Sequence, residues 1–204
     1  IDPEQYGGDF LLDYFDLSEF RVNKPWADYV AQVRRRGREF GEALSEGFPD
    51  CTLLFLHGYS LVAHQLKEAV SKGRANRLED LGTLYPAFLD GMLEGTSDGT
   101  IFVDGMELAY SYYKAQEFRE GRWKALYAPL TITAVPELFK QKTRCGFGLW
   151  TDNCNQSYWW NPFDPERNLY SPGRLQRAIN LALKYGDGYV WLWNEKANWY
   201  VDGP

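Results

Sequence analysis

Four short runs of apolar, β-favouring residues are spread along the chain, and turn residues bound each of them. They lie at 52–57, 100–104, 145–152 and 188–195. Each run is short and apolar at consecutive positions, a pattern typical of parallel strands that are covered on both faces. The first four residues, Ile1 to Glu4, read as the last residues of a fifth strand. We therefore predict four parallel strands and the end of another.

Helical patterns fill the segments between these runs. Apolar residues recur on one stripe from 26 to 48 and again from 78 to 93. A helix is predicted from 172 to 185, with Ser171 as its N-cap, Pro172 at its first position and Gly186 at its end. Between 108 and 143 the pattern is less clear, and only the end of a helix at 136–142 is predicted.

A regular alternation of strands and helices predicts an α/β fold with a parallel sheet, either closed as a (β/α)8 barrel or open and doubly wound. No glycine-rich phosphate loop follows any of the predicted strands, whereas polar groups occur at every strand end. Barrel enzymes carry their chemistry at the strand ends, so this distribution favours the TIM-barrel-like form.

Each predicted strand ends on an acid or a histidine, and these residues recur at intervals of roughly 50 positions. The terminal groups are Glu4, His57, Asp104, Asp152 and Glu195. Residues two apart on a strand share a face, so His57 aligns with Phe55 and Asp104 with Phe102. We expect the face that carries the terminal group to point into the barrel. All these groups would then meet in one pocket.

The spacing leaves too few strands for a whole barrel. An eight-stranded barrel typically takes about 250 residues. Because the repeat here is roughly 50 residues long, the 204 residues hold only four predicted strands and the end of a fifth. We therefore expect residues 1–204 to form one domain that is the second half of a barrel, from the end of strand four to strand eight. Such a half would need the missing N-terminal half or a second copy to cover its open edges.

Composition narrows the range of partners. A net charge of −6 and a pI of about 5.0 argue against nucleic acid, and no segment is long and apolar enough to suggest a membrane span. Three cysteines and two histidines show no zinc spacing, and we predict no metal and no cofactor. Free thiols are favoured over a Cys145–Cys154 bridge. Localisation stays open, with a secreted or periplasmic protein slightly favoured.

Aromatic residues make up 17% of the chain, including eight Trp and fourteen Tyr. Their flat apolar faces with a polar edge suit the stacking of sugar rings, so the predicted ligand is a carbohydrate. Packing in the core is the alternative for any single ring. The candidate sugar platforms are Tyr59, Tyr110, Trp150, Trp159, Trp160, Trp193 and Trp199.

Two motifs resemble those of (β/α)8 glycoside hydrolases. Asp2-Pro-Glu4 matches the Asp-x-Glu that ends the fourth strand in the chitinase-like group, and the run from Trp191 to Glu195 looks like the tryptophan-bearing eighth strand of such enzymes. The chain thus resembles the C-terminal half of a glycoside hydrolase barrel. The resemblance implies that Glu4 is the general acid and that Asp2 orients the substrate.

Glycoside hydrolysis needs a second carboxyl group, which acts as nucleophile or base. Glu107 is narrowly favoured over Asp104 and Glu195 as this group, and Asp152 is a substrate-binding candidate. Structural roles compete with each of these. Asp104 would cap a helix, Glu195 would pair with Lys196, Asp152 would form a turn, and Glu4 would be a loop acid that binds an arginine.

His57 would donate to a sugar hydroxyl or tune a carboxylate, with a buried structural histidine as the alternative. These residues favour a retaining glycosidase as the function. Two alternatives stay open. One is a non-catalytic carbohydrate-binding barrel, and the other is a metal-dependent hydrolase or lyase that uses His57, Asp104 and Asp152.

Overall fold

The computed structural model describes residues 24–153 and 160–196. Within these ranges, four strands alternate with helices along the chain. The strands are β1 (Thr52–Phe55), β2 (Ile101–Asp104), β3 (Thr143–Trp150) and β4 (Tyr189–Trp193). The α-helices are α1 (Trp26–Gly47), α2 (Tyr59–Ser71), α3 (Leu78–Leu81), α4 (Tyr85–Gly95), α5 (Ala115–Leu126), α6 (Pro136–Lys142) and α7 (Pro172–Tyr185). Short 3-10 turns cover Glu107–Ala109, Ala128–Thr131 and Pro165–Arg167.

The four strands form one parallel sheet in the order β1-β2-β3-β4. Each strand therefore pairs with the next one along the chain, and the order never reverses. A doubly wound sheet contains such a reversal at its ligand-binding edge, whereas successive neighbours are the arrangement found in a barrel. The described fold is thus mixed α/β with a four-stranded half-barrel sheet. Closure into a full barrel stays a prediction, and the strand expected at 1–4 lies outside the described residues.

The predicted strands are all present, but three of them end before their polar residue. β1 ends at Phe55, β3 at Trp150 and β4 at Trp193, so that His57, Asp152 and Glu195 lie in the loops that follow. Asp104 is the last residue of β2.

The helices predicted at 26–48, 136–142 and 172–185 are confirmed within one residue. The pattern at 78–93 is interrupted, because Gly82 adopts a left-handed conformation with φ of 73° and ends α3. Helices α2 and α5 were not predicted. The first five residues of α2 are all buried, so that part of the helix has no polar face. The buried positions of α5 are Phe118 and two small residues, Gly121 and Ala125, so its apolar stripe is weak.

Two apolar clusters fill the space between the sheet and the helices. In one, Phe147 and Leu149 of β3 and Val190 of β4 pack with Phe118 and Ala178 of the covering helices. The predicted facing of β3 and β4 is therefore confirmed, with Trp150 and Trp191 on the opposite side. We call that opposite side of the sheet the inner face.

The predicted facing of β1 and β2 is wrong. Phe55 and Phe102 lie in the second apolar cluster, where they pack with Leu89 and Phe139 of the helices. The register pairs Asp104 with Cys145, so that Asp104 also faces the helices. In a buried parallel strand both faces are apolar, so the polar residue at its end does not reveal which face is inside.

Glycines bring α1 and α4 into close contact. Gly37 and Gly41 are the buried residues of α1, while Phe40 from the predicted apolar stripe is 48% exposed. A Cβ atom on Gly91 of α4 would lie 1.9 Å from the carbonyl oxygen of Arg34. The two backbones therefore touch, and glycine is required at this contact. No helix among the described residues is long and apolar enough to cross a membrane.

Candidate functional site

A histidine and a glutamate meet where β1 and β2 end. His57 Nε2 lies 3.2 Å from Glu107 Oε2, and the two side chains are only 10% and 16% exposed. The backbone holds both residues in place. Glu107 N donates to the carbonyl oxygen of Leu56 at 3.1 Å, and the hydroxyl of Tyr85 donates to the carbonyl oxygen of His57 at 2.8 Å. The structure thus brings together two residues singled out in the sequence.

A strained turn carries Glu107 to this position. Gly105 N donates to the carbonyl oxygen of Phe55 at 2.7 Å, which extends the pairing of β1 and β2 by one bond. The next residue, Met106, is fully buried in a left-handed conformation with φ of 46°. A non-glycine residue in this region costs on the order of 1–3 kcal/mol, and such strain clusters at functional sites. The turn follows directly after β2 and positions Glu107 beside His57.

Asp104 is buried on the helix side, where it caps α2. Its carboxylate accepts hydrogen bonds from Ser60 N at 2.8 Å, Ser60 Oγ at 2.7 Å and Met106 N at 3.2 Å. Burial raises the pKa of Asp104 above its ordinary value, although the bonds from Ser60 and Met106 act in the opposite direction. This position agrees with the alternative that Asp104 caps a helix. The carboxylate points away from the inner face.

Asp152 is buried and ties the end of β3 to the end of β4. Its carboxylate accepts hydrogen bonds from Trp150 Nε1 at 2.9 Å, from Glu195 N at 3.0 Å and from Lys196 N. The side chain of Glu195 itself is exposed. Asp152 therefore has a structural role, and this agrees with the alternative that it forms a turn.

Three aromatic rings form a group beside the turn that carries Glu107. The ring of Tyr110 lies 5.8 Å from that of Trp150 and 5.4 Å from that of Trp191, measured between centroids. All three are half-buried, and Trp193 on the same side of β4 is 45% exposed. Tyr110 N donates to the carbonyl oxygen of Glu107, so the group begins one turn after the glutamate. The ring group therefore lies beside the backbone of the turn that carries Glu107.

Tyr59 does not belong to this group. It lies in the apolar cluster on the helix side, and its hydroxyl donates to Asp90 Oδ1 at 2.7 Å. Burial and the carboxylate of Asp90 raise the pKa of Tyr59 well above its ordinary value. The prediction of Tyr59 as a sugar platform is therefore wrong. As the first residue of α2, it turns away from the inner face and into the core.

The remaining predicted site residues are distributed as follows. Asp2, Glu4, Trp159 and Trp199 lie outside the described residues, whereas Trp160 is described and half-buried. No group of three metal-binding side chains occurs within 24–153 and 160–196, so His57, Asp104 and Asp152 do not form a metal centre.

A cavity of about 270 Å³ lies elsewhere, lined by Gln65 and Arg74 among others. Cys51 and Cys145 are free thiols.

Trp191 belongs to the site but is absent from the residues that the sequence pattern predicts for it. Its indole Nε1 donates to the carbonyl oxygen of Gly105 at 2.8 Å, in the turn that carries Glu107. A signal for it was present, because Trp191 shares a strand face with Trp193 and Glu195. The contact between Trp191 and Gly105 joins residues far apart in the sequence, and no local pattern predicts it.

Comparison with known proteins gives no match to a protein family, a curated protein or a solved structure.

Proposed function

We propose that the protein is a glycoside hydrolase of the retaining type in which Glu107 is the catalytic carboxylate. The observation that carries this proposal is the close approach of Glu107 to His57 at the carboxyl ends of two parallel strands. Barrel enzymes hold their reacting groups at this end of the sheet. A half-buried ring group beside the turn that carries Glu107 would supply the apolar surface that a sugar needs.

Glu107 suits the nucleophilic role better than the other acids on these strands. The carboxylates of Asp104 and Asp152 each accept several hydrogen bonds from the protein and stabilise local structure. Glu107 has the imidazole of His57 beside it, with Nε2 at 3.2 Å from Oε2. An N–H donated by His57 would orient the carboxyl group of Glu107 towards the anomeric carbon.

In the proposed reaction Glu107 attacks the anomeric carbon while an acid protonates the leaving oxygen. Water then attacks the anomeric carbon and displaces Glu107 as a free carboxylate. The conjugate base of the acid takes the proton from this water, and the sugar is released. Glu4 is our candidate for the acid, on the basis of its motif in the sequence. Glu195, exposed at the end of β4, is the other candidate.

A panel of aryl glycosides tests the proposal. Glu107→Gln should lower kcat by at least about 100-fold on any substrate that the wild-type protein cleaves, because the amide is a poor nucleophile. Glu137→Gln is the matched control, since the side chain of Glu137 is 84% exposed on α6. Circular dichroism should show equal folding of both variants. Wild-type turnover that survives Glu107→Gln unchanged would remove Glu107 from the mechanism.

A carbohydrate-binding protein without catalysis is the second candidate, and the ring group with the exposed Trp193 favours it. Such a protein would bind an oligosaccharide with equal affinity before and after Glu107→Gln and would cleave none. Titration calorimetry with oligosaccharides, run beside the activity panel, distinguishes the two candidates.

A further inference from the structure

We infer that Trp191 is a positioning residue that holds the Glu107 turn in its strained conformation. The effect of Trp191 on catalysis rests on the proposed hydrolase function, whereas its contact with the turn does not depend on a substrate. Trp191 lies on β4, whereas Gly105 follows β2, and β3 runs between these strands. The indole therefore spans the inner face of β3, and its Nε1 donates to the carbonyl oxygen of Gly105 at 2.8 Å.

Glycines make room for this crossing. A Cβ atom on Gly148 of β3 would lie 2.6 Å from two carbons of the indole ring of Trp191. A Cβ atom on Gly105 would lie 2.9 Å from its Nε1. Both distances are too short for real atoms, so the ring reaches the turn only because side chains are absent at these two positions.

The turn is held on one side by β1 and on the other by Trp191. On the β1 side, Gly105 N and Glu107 N donate to the carbonyl oxygens of Phe55 and Leu56. On the β4 side, the indole binds the carbonyl oxygen of Gly105 and packs edge-on against Tyr110. Trp191 thus contacts the chain on both sides of Glu107.

Met106 shows why such support is needed. Its left-handed backbone is unfavourable for a residue with a side chain and persists only where the surroundings enforce it. Loss of the indole contact would let the turn relax, and the carboxyl group of Glu107 would then move away from His57. The rate of a reaction depends steeply on the position of the reacting group, since a misplacement of about 1 Å lowers the rate by up to about 100-fold.

Two variants remove the contact in different ways. Trp191→Phe keeps an aromatic ring but lacks the N–H donor, whereas Gly148→Ala keeps the indole and displaces it. Trp123→Phe is the control for the first, because Trp123 is 51% exposed on α5. Gly173→Ala is the control for the second, because a Cβ atom there would have no neighbour within 4 Å.

The imidazole of His57 reports the position of Glu107 without any substrate. The chain contains two histidines, so His64→Gln assigns both sets of ring signals in an NMR spectrum. We expect Trp191→Phe and Gly148→Ala to move the ring signals of His57 towards those of Glu107→Gln, while both controls leave them in place. In the turnover assay the same two variants should lower kcat by about 10- to 100-fold and change KM by less than about twofold.

The outcomes separate this inference from the proposed function. His57 signals that stay at their wild-type positions in Trp191→Phe would overturn the positioning role, whatever the activity. Signals that move as expected, in a protein that cleaves no glycoside, would support the positioning role and contradict the hydrolase. If Gly148→Ala does not fold, Trp191→Phe alone decides the question.

Discussion

The carboxylate of Asp104 accepts hydrogen bonds from both the backbone N–H and the hydroxyl of Ser60, at 2.8 and 2.7 Å. An acid at the end of β2 thus closes the first turn of α2, the helix that follows β1. An acceptor at this position is favourable, because the N–H groups of the first turn lack partners within the helix. This bond joins two successive βα units of the half-barrel.

Replacement of Asp104 by alanine should destabilise the protein by about 2–4 kcal/mol, because Ser60 N and Met106 N would lose a buried acceptor. Urea denaturation followed by circular dichroism measures the free energy of unfolding. Asp98→Ala is the control, since Asp98 is exposed just before β2. Equal stability of the two variants would contradict the capping role.

Asp104 should also make the stability depend on pH. Its folded-state pKa is raised above the ordinary value of 3.8, so the folded protein binds this proton more tightly than the unfolded chain does. Its contribution to the free energy of unfolding is therefore fully present below about pH 3.8 and declines as the pH rises through the folded-state pKa. The stability of the wild type minus that of Asp104→Asn, measured from about pH 3 to pH 8, should fall. A difference that grows with pH would refute this prediction.

Loss of the Asp152 carboxylate should loosen the ends of β3 and β4. Asp152→Ala removes the acceptor for Trp150 Nε1 and for the backbone of Glu195 and Lys196, at an expected cost of about 2–3 kcal/mol. Tryptophan fluorescence should shift to longer wavelength as Trp150 becomes more exposed. Glu195→Ala keeps the backbone donor and should cost less than about 0.5 kcal/mol. A larger loss in that control than in Asp152→Ala would contradict the assignment.

Lys142 should stabilise the end of α4 through its buried ammonium group. Its Nζ donates to the carbonyl oxygens of Leu93 and Thr96 at 2.9 and 2.7 Å, and burial lowers its pKa. Lys142→Met fills the space but leaves both carbonyl groups without this donor, and should cost about 1–3 kcal/mol. Lys140→Met, at a half-exposed position on the same helix, is the control in thermal denaturation. Equal melting temperatures of the two variants would contradict this role of Lys142.

The contact between α1 and α4 should not tolerate a methyl group at Gly91. Gly91→Ala would place a carbon atom against the backbone of Arg34 and force the helices apart, at a cost of about 3 kcal/mol or more. Gly47→Ala has open space around it and should leave the free energy of unfolding within about 0.5 kcal/mol of the wild type. Chemical denaturation of both variants tests the contact, and equal midpoints would contradict it.

Local pattern was sufficient for the strands and for the helices α1, α6 and α7. The runs at 52–57 and 100–104 were recognisable because short apolar segments bounded by turn residues are typical of buried strands, and Pro172 and Gly186 marked α7 well. The side of each strand that points towards the helices could not be predicted from the sequence in the same way. Phe55 and Phe102 alternate correctly along their strands, but only the register with β3 shows that they face the helices.

The candidate site was predictable in part. Glu107 and His57 were candidates because each follows a predicted strand, and parallel strands bring their ends together. Their contact depends on the left-handed turn at Met106, which no sequence pattern predicts for a non-glycine residue.

By itself, then, the sequence determined the βα repeat, the parallel sheet and the concentration of acids and aromatic rings at strand ends, because these follow from local periodicity and turn chemistry. The tertiary structure decided where each of those acids lies and what it contacts. Asp104 and Asp152 accept hydrogen bonds from the backbone of other segments, and Glu107 lies beside His57 in a turn that Trp191 contacts. Such contacts join residues distant in the sequence, and only the packed chain brings them within reach of one another.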